Sequence, residues 1–356
     1  MSDRIKIGVI GVGVGRAHLR GYLACPEAEV VALCDVDEAR LQAVADEYHV
    51  PHRFTDYKEM LALGGLQAVS VALPNDLHAP VSIAALEAGK HVLCEKPLAS
   101  TLPDAEAMVE ASHRTGKILM ITFNYRYRTD ARFLKGLMSE NRLGRVYHVR
   151  AGWVRRCGIP KAGSWFTHKE KSGGGPLIDL GVHVLDLTMW LLGYPEVVTV
   201  SGATHNALAS LGKGASNGLP FQGVQDCDVE DLAVAFLRLR NGSTISLEIS
   251  WASYSSASDD YFVHLMGDQG GAELTVHNYA RKDTVRLFGD LDGQPTETRP
   301  RLPETPSGHE GAVREFLSCI RTGAKPTASA ENGLTIMRLL DAIYRSAQSD
   351  QEIRLS

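Results

Sequence analysis

Along the first third of the chain, apolar positions gather into short runs at Ile5 to Ile10, Val30 to Cys34, Ala68 to Leu73, His91 to Cys94 and Ile118 to Thr122. Short apolar runs of this kind read as strands. Between them, Arg16 to Ala24, Leu77 to Ala88 and Leu102 to Thr115 carry apolar residues at helical spacing. Strands alternating with helices predict a parallel sheet covered on both faces.

After Asn124 the texture changes, which sets a boundary between a domain over residues 1–124 and a second over 125–356. A helical segment near Asp130 to Ser139 precedes a long strand over Arg145 to Arg155 and a glycine-rich loop. From about Val197 the pattern is one of strands separated by turns, at Leu232 to Leu239, Thr244 to Trp251 and Tyr261 to Met266. Asn241-Gly242 between two of these runs is a hairpin signal, so this part predicts an antiparallel sheet. Helical segments follow at Glu310 to Thr322 and Glu331 to Ser349. The Gly-, Ser- and Asn-rich stretch Asn206 to Asp226, with Leu219-Pro220, is expected to be a long irregular loop, either a lid or a connection.

Composition adds exclusions. With 356 residues, 44% hydrophobic, 22% charged and a net charge of -5, the chain reads as a globular protein of two domains without a basic nucleic-acid footprint. No run of eighteen apolar residues appears, and Met1-Ser2-Asp3-Arg4 enters a strand without a leader-like apolar segment, so a cytoplasmic protein with no membrane partner is expected. Cys25, Cys34, Cys94, Cys157, Cys227 and Cys319 are scattered, which suggests reduced thiols and neither a disulfide framework nor a zinc site.

Gly11-Val12-Gly13-Val14-Gly15 follows the first strand and opens a helix, where backbone N–H groups and the positive end of the helix dipole would meet a dinucleotide pyrophosphate. The third glycine comes one position early, and Arg16 stands where Gly or Ala is expected. Asp35 ends the second strand, about twenty residues further on, where its carboxylate would accept from the adenosine ribose hydroxyls. Val36, Asp37, Glu38 and Ala39 offer no immediate cation for a 2'-phosphate, which favours NAD over NADP. Pro74-Asn75-Asp76-Leu77-His78 and Glu95-Lys96-Pro97 follow two later strands and border the same crevice, although Asn75 would also serve as a plain helix N-cap.

Gly173-Gly174-Gly175-Pro176 leads into Leu177 to Leu192, apolar nearly all round apart from Asp179, His183, Asp186 and Thr188. Such a helix is expected to be buried. At 3.6 residues per turn, Asp179, His183 and Asp186 fall within a sector of roughly sixty degrees. Three readings stay open at this point: a hydrogen-bonded core network, a metal site lacking recognisable third and fourth ligands, and an acid/base pair in which Asp179 tunes the imidazole of His183.

The glycine turn, Glu95-Lys96-Pro97 and the run from Gly173 to His183 together resemble the Gfo/Idh/MocA oxidoreductase family, and Ala88 to Val92, Phe123 to Tyr127 and Gly144-Arg145-Val146 agree. The resemblance implies an N-terminal Rossmann domain, with a doubly wound parallel sheet, and a C-terminal α/β domain. The second domain's large, mostly antiparallel sheet would form dimer or tetramer contacts. It implies that Lys96 contacts cofactor and substrate, and that Asp179 and His183 are the paired catalytic residues. The expected cofactor set is then Gly11, Val12, Gly13, Val14, Asp35, Asn75, His78, Glu95 and Lys96, holding NAD. Arg126, Trp153, Arg155, Arg156, Trp165 and His168 lie on segments expected to border a cleft for a sugar, inositol or polyol, because charged donors suit hydroxyls and aromatic rings suit C–H faces. An NAD-requiring glycoside hydrolase and a non-catalytic NAD- or sugar-sensing protein are the alternatives.

Overall fold

The computed structural model describes residues 4–161, 164–216, 227–304 and 308–355. It divides into two compact units, Met1–Tyr127 with Pro306–Met337, and Arg128–Thr305 with Arg338–Ser356. The sequence reading kept all of 125–356 together. Residues 306–337 instead count with the first unit, because an amphipathic helix there finds its apolar partner on that unit.

In the first unit, strands β1 (Ile5–Ile10), β2 (Ala28–Cys34), β3 (His52–Phe54), β4 (Ala68–Val71), β5 (His91–Cys94) and β6 (Leu119–Ile121) form one sheet in the order β3-β2-β1-β4-β5-β6. Every pairing in it is parallel, with Ile10 level with Cys34 on one side and Val71 on the other. Helices α1 (Gly15–Leu23), α2 (Glu38–Tyr48), α3 (Tyr57–Leu61), α4 (His78–Glu87) and α5 (Leu102–Thr115) make the connections. The central strands read as unbroken apolar runs because both faces are buried: Ile7, Val9, Val69 and Val71 have no exposed surface. Strand order reverses between β1 and β4, the place where ligands of such sheets bind beyond the carboxyl ends of the strands. The strand and helix boundaries expected from periodicity lie within about two residues of those observed, the usual scatter for terminal residues.

The second unit begins with α6 (Thr129–Ser139) and β7 (Val146–Arg155), followed by the short helix α7 (Lys169–Ser172), a π turn over Leu177–Gly181 and α8 (Val182–Leu192). Strands β8 (Val197–His205), β9 (Leu232–Leu239), β10 (Thr244–Ser250), β11 (Asp259–Gly267), β12 (Gly271–His277), β13 (Val285–Leu291) and β14 (Gln294–Thr298) come next. The chain then runs through α9 (Gly308–Thr322), α10 (Ala330–Ser349) and β15 (Ile353–Arg354). The nine strands of the second sheet are ordered β14-β13-β12-β11-β7-β10-β9-β8-β15. All pairs are antiparallel except β10 with β7.

Alternation along these strands separates two faces. Ala233, Leu237, Ile245, Ile249, Val263 and Leu265 are buried, while Val234, Phe236, Glu248 and Phe262 line an open depression of about 540 Å³ on the other side. Gly152 is required there, since a Cβ would stand 2.7 Å from the Phe262 ring. By length and composition Lys169–Leu192 passes for a membrane span, yet 78% of its most apolar window is buried inside the protein, as a core helix should be. Of the stretch Asn206 to Asp226, residues 217–226 lie outside the described residues.

Candidate functional site

The glycine turn is built by sterics. Gly11 has φ +85, and a Cβ there would lie 2.2 Å from the Ala72 carbonyl oxygen, so only glycine fits. Around Gly13 the Cβ direction is open for 4 Å, which leaves room for a phosphate to approach the backbone. At Gly15 a Cβ would meet Val9 Cγ1 at 2.8 Å, so Gly15 lets α1 lie close on β1. The early third glycine therefore does the packing work that one residue later does in the usual spacing. At the start of α1 the Arg16 N–H reaches Gly13 O at 3.4 Å and the Ala17 N–H reaches Val14 O at 2.9 Å, so the turn closes directly into the helix, whose positive end fits a dinucleotide pyrophosphate.

Asp35, 7% exposed, follows β2 and accepts from the backbone N–H of Val12 at 2.9 Å and of Asp37 at 3.0 Å. Arg40 Nη2 donates at 2.8 Å to Oδ1, the oxygen that also accepts from Asp37. Burial works against the Asp35 charge, but Arg40 and the two N–H groups outweigh it and hold the pKa below its ordinary value. The expectation that no cation stands near Asp35 is thus corrected. It stopped at Ala39, whereas the first turn of α2 brings residue 40 back over the end of β2.

Val12 is buried and Val14 is exposed. Asn75 is buried in a 3-10 turn over Asn75–Leu77, and the N-cap of α4 is Leu77, so Asn75 is not that helix's cap. His78 is fully buried, with Nδ1 2.7 Å from Pro97 O and Nε2 2.9 Å from Leu73 O, so its ring ties together the segments that follow β4 and β5. Both partners only accept, so making both bonds needs the charged imidazolium, while burial pulls the His78 pKa down. Whichever form prevails, the ring is turned inward rather than toward a ligand.

Glu95 is also turned inward. His18 Nε2 lies 2.7 Å from its Oε1 and His309 Nε2 3.4 Å from the same oxygen, while the Lys96 backbone N–H donates to Oε2 at 3.2 Å. Lys96 is half-buried and joined to Pro97 by a cis peptide bond. Arg126 is 2% exposed, and its guanidinium donates to Thr327 O and Asn332 Oδ1 and lies over the Phe123 ring at 5.0 Å. That removes Arg126 from the substrate set: the planar guanidinium fastens α10 to the segment after β6 instead.

In the second unit, the glycine run is held by a buried carboxylate that sequence reasoning missed. Glu230 accepts from the N–H groups of Gly175 at 2.9 Å and Leu177 at 3.2 Å, and from Tyr344 OH at 2.8 Å. A Cβ at Gly174 would lie 2.0 Å from Tyr344 OH, and one at Gly175 would lie 2.0 Å from Glu230 O. The glycines are there for close approach. They deliver the chain into the π turn that carries Asp179, and π turns gather at functional sites.

Asp179 accepts from the indole N–H of Trp251 at 3.0 Å. The wider π turn changes the phase expected of a regular helix, and Asp186 takes no part in one polar stripe: it is 1% exposed and accepts from Tyr194 OH at 2.8 Å. His183, half-buried, lies beside the Trp153 ring with centroids 6.0 Å apart. Trp153 Nε1 donates to Asp259 at 2.6 Å, Arg155 Nε pairs with Asp259 at 3.0 Å, and Arg155 Nη2 donates to Tyr279 OH at 2.8 Å. Burial opposes the Arg155 charge, yet Tyr279, Asp259 and Asp179 outweigh it and raise its pKa. Alternation on β7 brings Trp153 and Arg155 to one face, as the sequence implies; Asp259 and Tyr279 come from distant segments. Arg156 lies over the Tyr254 ring at 4.6 Å, Trp165 stacks on Phe166, and His168 precedes α7. Among the described residues, no hydrogen bond, ion pair or ring contact links these three to the Trp153 cluster.

Residues 5–123 match the NAD-binding Rossmann-fold domain of the Gfo/Idh/MocA oxidoreductase family, and residues 135–355 match its C-terminal α/β domain. The chain belongs to that family. It is 32% identical over 359 residues, 99% of this chain and 98% of the other, to D-glucoside 3-dehydrogenase of Escherichia coli K12. It is 27% identical to D-xylose 1-dehydrogenase (NADP(+)) 2 of Haloferax volcanii, over 99% of this chain and 100% of that one. A levoglucosan dehydrogenase solved in complex with NADH shares the fold, with a TM-score of 0.87 and 24% identity over 99% of this chain and 100% of the other.

Proposed function

We propose that this oxidoreductase is a dehydrogenase that uses NAD to oxidise, or NADH to restore, a hydroxyl-bearing carbon of a sugar, inositol or polyol. The observation that carries the reading is the half-buried His183 beside the Trp153 ring, four residues after an Asp179 held by Trp251, in a chain whose glycine turn leaves room for a phosphate. The sugar dehydrogenases among its relatives support the substrate class.

Asp35 would bind the adenosine ribose, and the N–H groups opening α1 the pyrophosphate. The bound nicotinamide supplies the hydride acceptor. His183 takes the hydroxyl proton, Asp179 orients the imidazole and stabilises its charged form, and Lys96 neutralises the oxygen that loses the proton. Trp153, 2% exposed and therefore with no open face for a sugar, backs the His183 ring and holds Asp259, while Arg155 with the exposed Tyr279 offers donors to substrate hydroxyls. NAD is the first cofactor because a 2'-phosphate would meet the Asp35 carboxylate; Arg40 beside it supports measurable use of NADP. The open sheet face, with Val234, Phe236 and Phe262 on it, supports a homodimer or homotetramer built through that sheet.

The test is a panel of polyols, inositols, aldoses and glycosides with NAD and NADP, read by absorbance of the reduced cofactor. His183→Ala should lower kcat about a hundredfold to ten-thousandfold and leave NADH binding intact. Reduction of neither cofactor across the panel, or unchanged turnover in that variant, refutes the assignment.

A further inference from the structure

One buried cluster in the first unit is unused by this mechanism. His18 on α1 has no exposed surface; its Nδ1 lies 3.0 Å from Ser70 Oγ on β4, which lies 2.8 Å from Tyr22 OH. Its Nε2 meets Glu95 Oε1 at 2.7 Å, and His309 on α9 meets the same oxygen at 3.4 Å, with the two imidazole centroids 5.6 Å apart. Two histidines and a glutamate are also zinc-type ligands. Two donors each about 2.0–2.1 Å from a tetrahedral metal stand about 3.3 Å apart. The 2.7 Å contact is shorter and has the length of a charge-assisted hydrogen bond, so the cluster is held by protons.

What the cluster holds is the start of the Lys96 segment. Strand β5 ends at Cys94, and the ladder continues only as far as Glu95 N–H to Val71 O at 2.9 Å. The next N–H, that of Lys96, is bound by Glu95's own Oε2. Burial disfavours the Glu95 charge, yet the two histidines hold its pKa well below the ordinary range. A fixed carboxylate therefore replaces the sheet as the anchor of the Lys96 backbone, and His18 ties that anchor to the helix whose first turn forms the glycine site.

We propose that Glu95, clamped by His18 and His309, is a positioning residue that acts through Lys96, a role resting on the function proposed above for Lys96. The test is a double-mutant cycle of Glu95→Gln and Lys96→Met with a sugar and NAD. Glu95→Gln should lower kcat about tenfold to a hundredfold with the cofactor KM little changed, and should cost nothing further in the Lys96→Met background. His309→Gln, at the cluster's edge, runs the same cycle with a smaller loss should Glu95→Gln fail to fold. An equal loss in both backgrounds overturns the proposal and leaves the role of Lys96 standing. Wild-type turnover in Lys96→Met overturns both.

A readout without sugar separates the two further. In reductively 13C-methylated protein, the Lys96 resonance, identified by its loss in Lys96→Arg, should shift in Glu95→Gln and His309→Gln. An unmoved resonance means that Glu95 does not set the Lys96 environment, whatever the substrate proves to be.

Discussion

Trp251 donates its indole N–H to Asp179 Oδ2 at 3.0 Å, joining the residue just beyond β10 to the π turn before α8. Trp251 has no exposed surface, so its ring fixes the carboxylate from a rigid wall. Phenylalanine keeps most of that shape and deletes the donor.

Trp251→Phe should therefore lower kcat about tenfold to a hundredfold, as expected from losing a hydrogen bond to a charged group worth about 1.5–3 kcal/mol. Fluorescence titration should find NADH affinity unaltered. A variant that turns over like wild type would deny Asp179 its orienting role.

Asp35 and Arg40 form an ion pair at the end of β2, where the proposed function puts the adenosine ribose. Asp35→Ser removes the negative charge and leaves the cation, and should raise the NADP:NAD ratio of kcat/KM by about tenfold or more, equivalent to about 1.4 kcal/mol. Adding Arg40→Ala should reverse the gain. A ratio indifferent to both substitutions would mean that neither side chain meets the ribose.

Gly174 has no room for a methyl group beside Tyr344 OH. Gly174→Ala should cost about 1–3 kcal/mol by overpacking, or roughly 1–2 °C of Tm per kcal/mol in a protein of this size. In a Tyr344→Phe background the loss should shrink, because the first atom met is the hydroxyl. Equal losses in both backgrounds, measured by thermal melts, would place the strain elsewhere.

Glu95 gives a pH prediction. Its folded pKa is depressed, so its stabilising contribution is complete above the unfolded carboxyl value of about 4.3 and is lost as the pH falls through that value toward the lower folded one. The Tm difference between wild type and Glu95→Gln should be large near pH 6 and shrink below about pH 4.5. A difference that does not narrow at all as the pH falls below about 4.5 would contradict the charged clamp.

Much of the first unit was legible because each strand and helix there announces itself locally. The β1 run, the glycines after it and Asp35 lie within one βαβ stretch, so spacing alone brought them together. The outer hairpin β13–β14 was not read: β14 is exposed throughout, so no buried alternation marks it. Its turn was legible all the same, since Asp292-Gly293, both with positive φ, is a hairpin signal. Arg126 was misread because a basic residue in an expected cleft segment looks the same whether it faces a ligand or a buried carbonyl.

The sequence determined the order of elements, the parallel and antiparallel halves and the residues able to do acid/base chemistry, because periodicity and turn chemistry act over a few neighbours. Only the tertiary structure decided which of those residues are held and by what. Trp251 reaches Asp179 across 72 positions, Glu230 reaches Gly175 across 55, and His309 comes from another helix to Glu95. Contacts over such separations depend on how whole elements pack, and no local pattern records them.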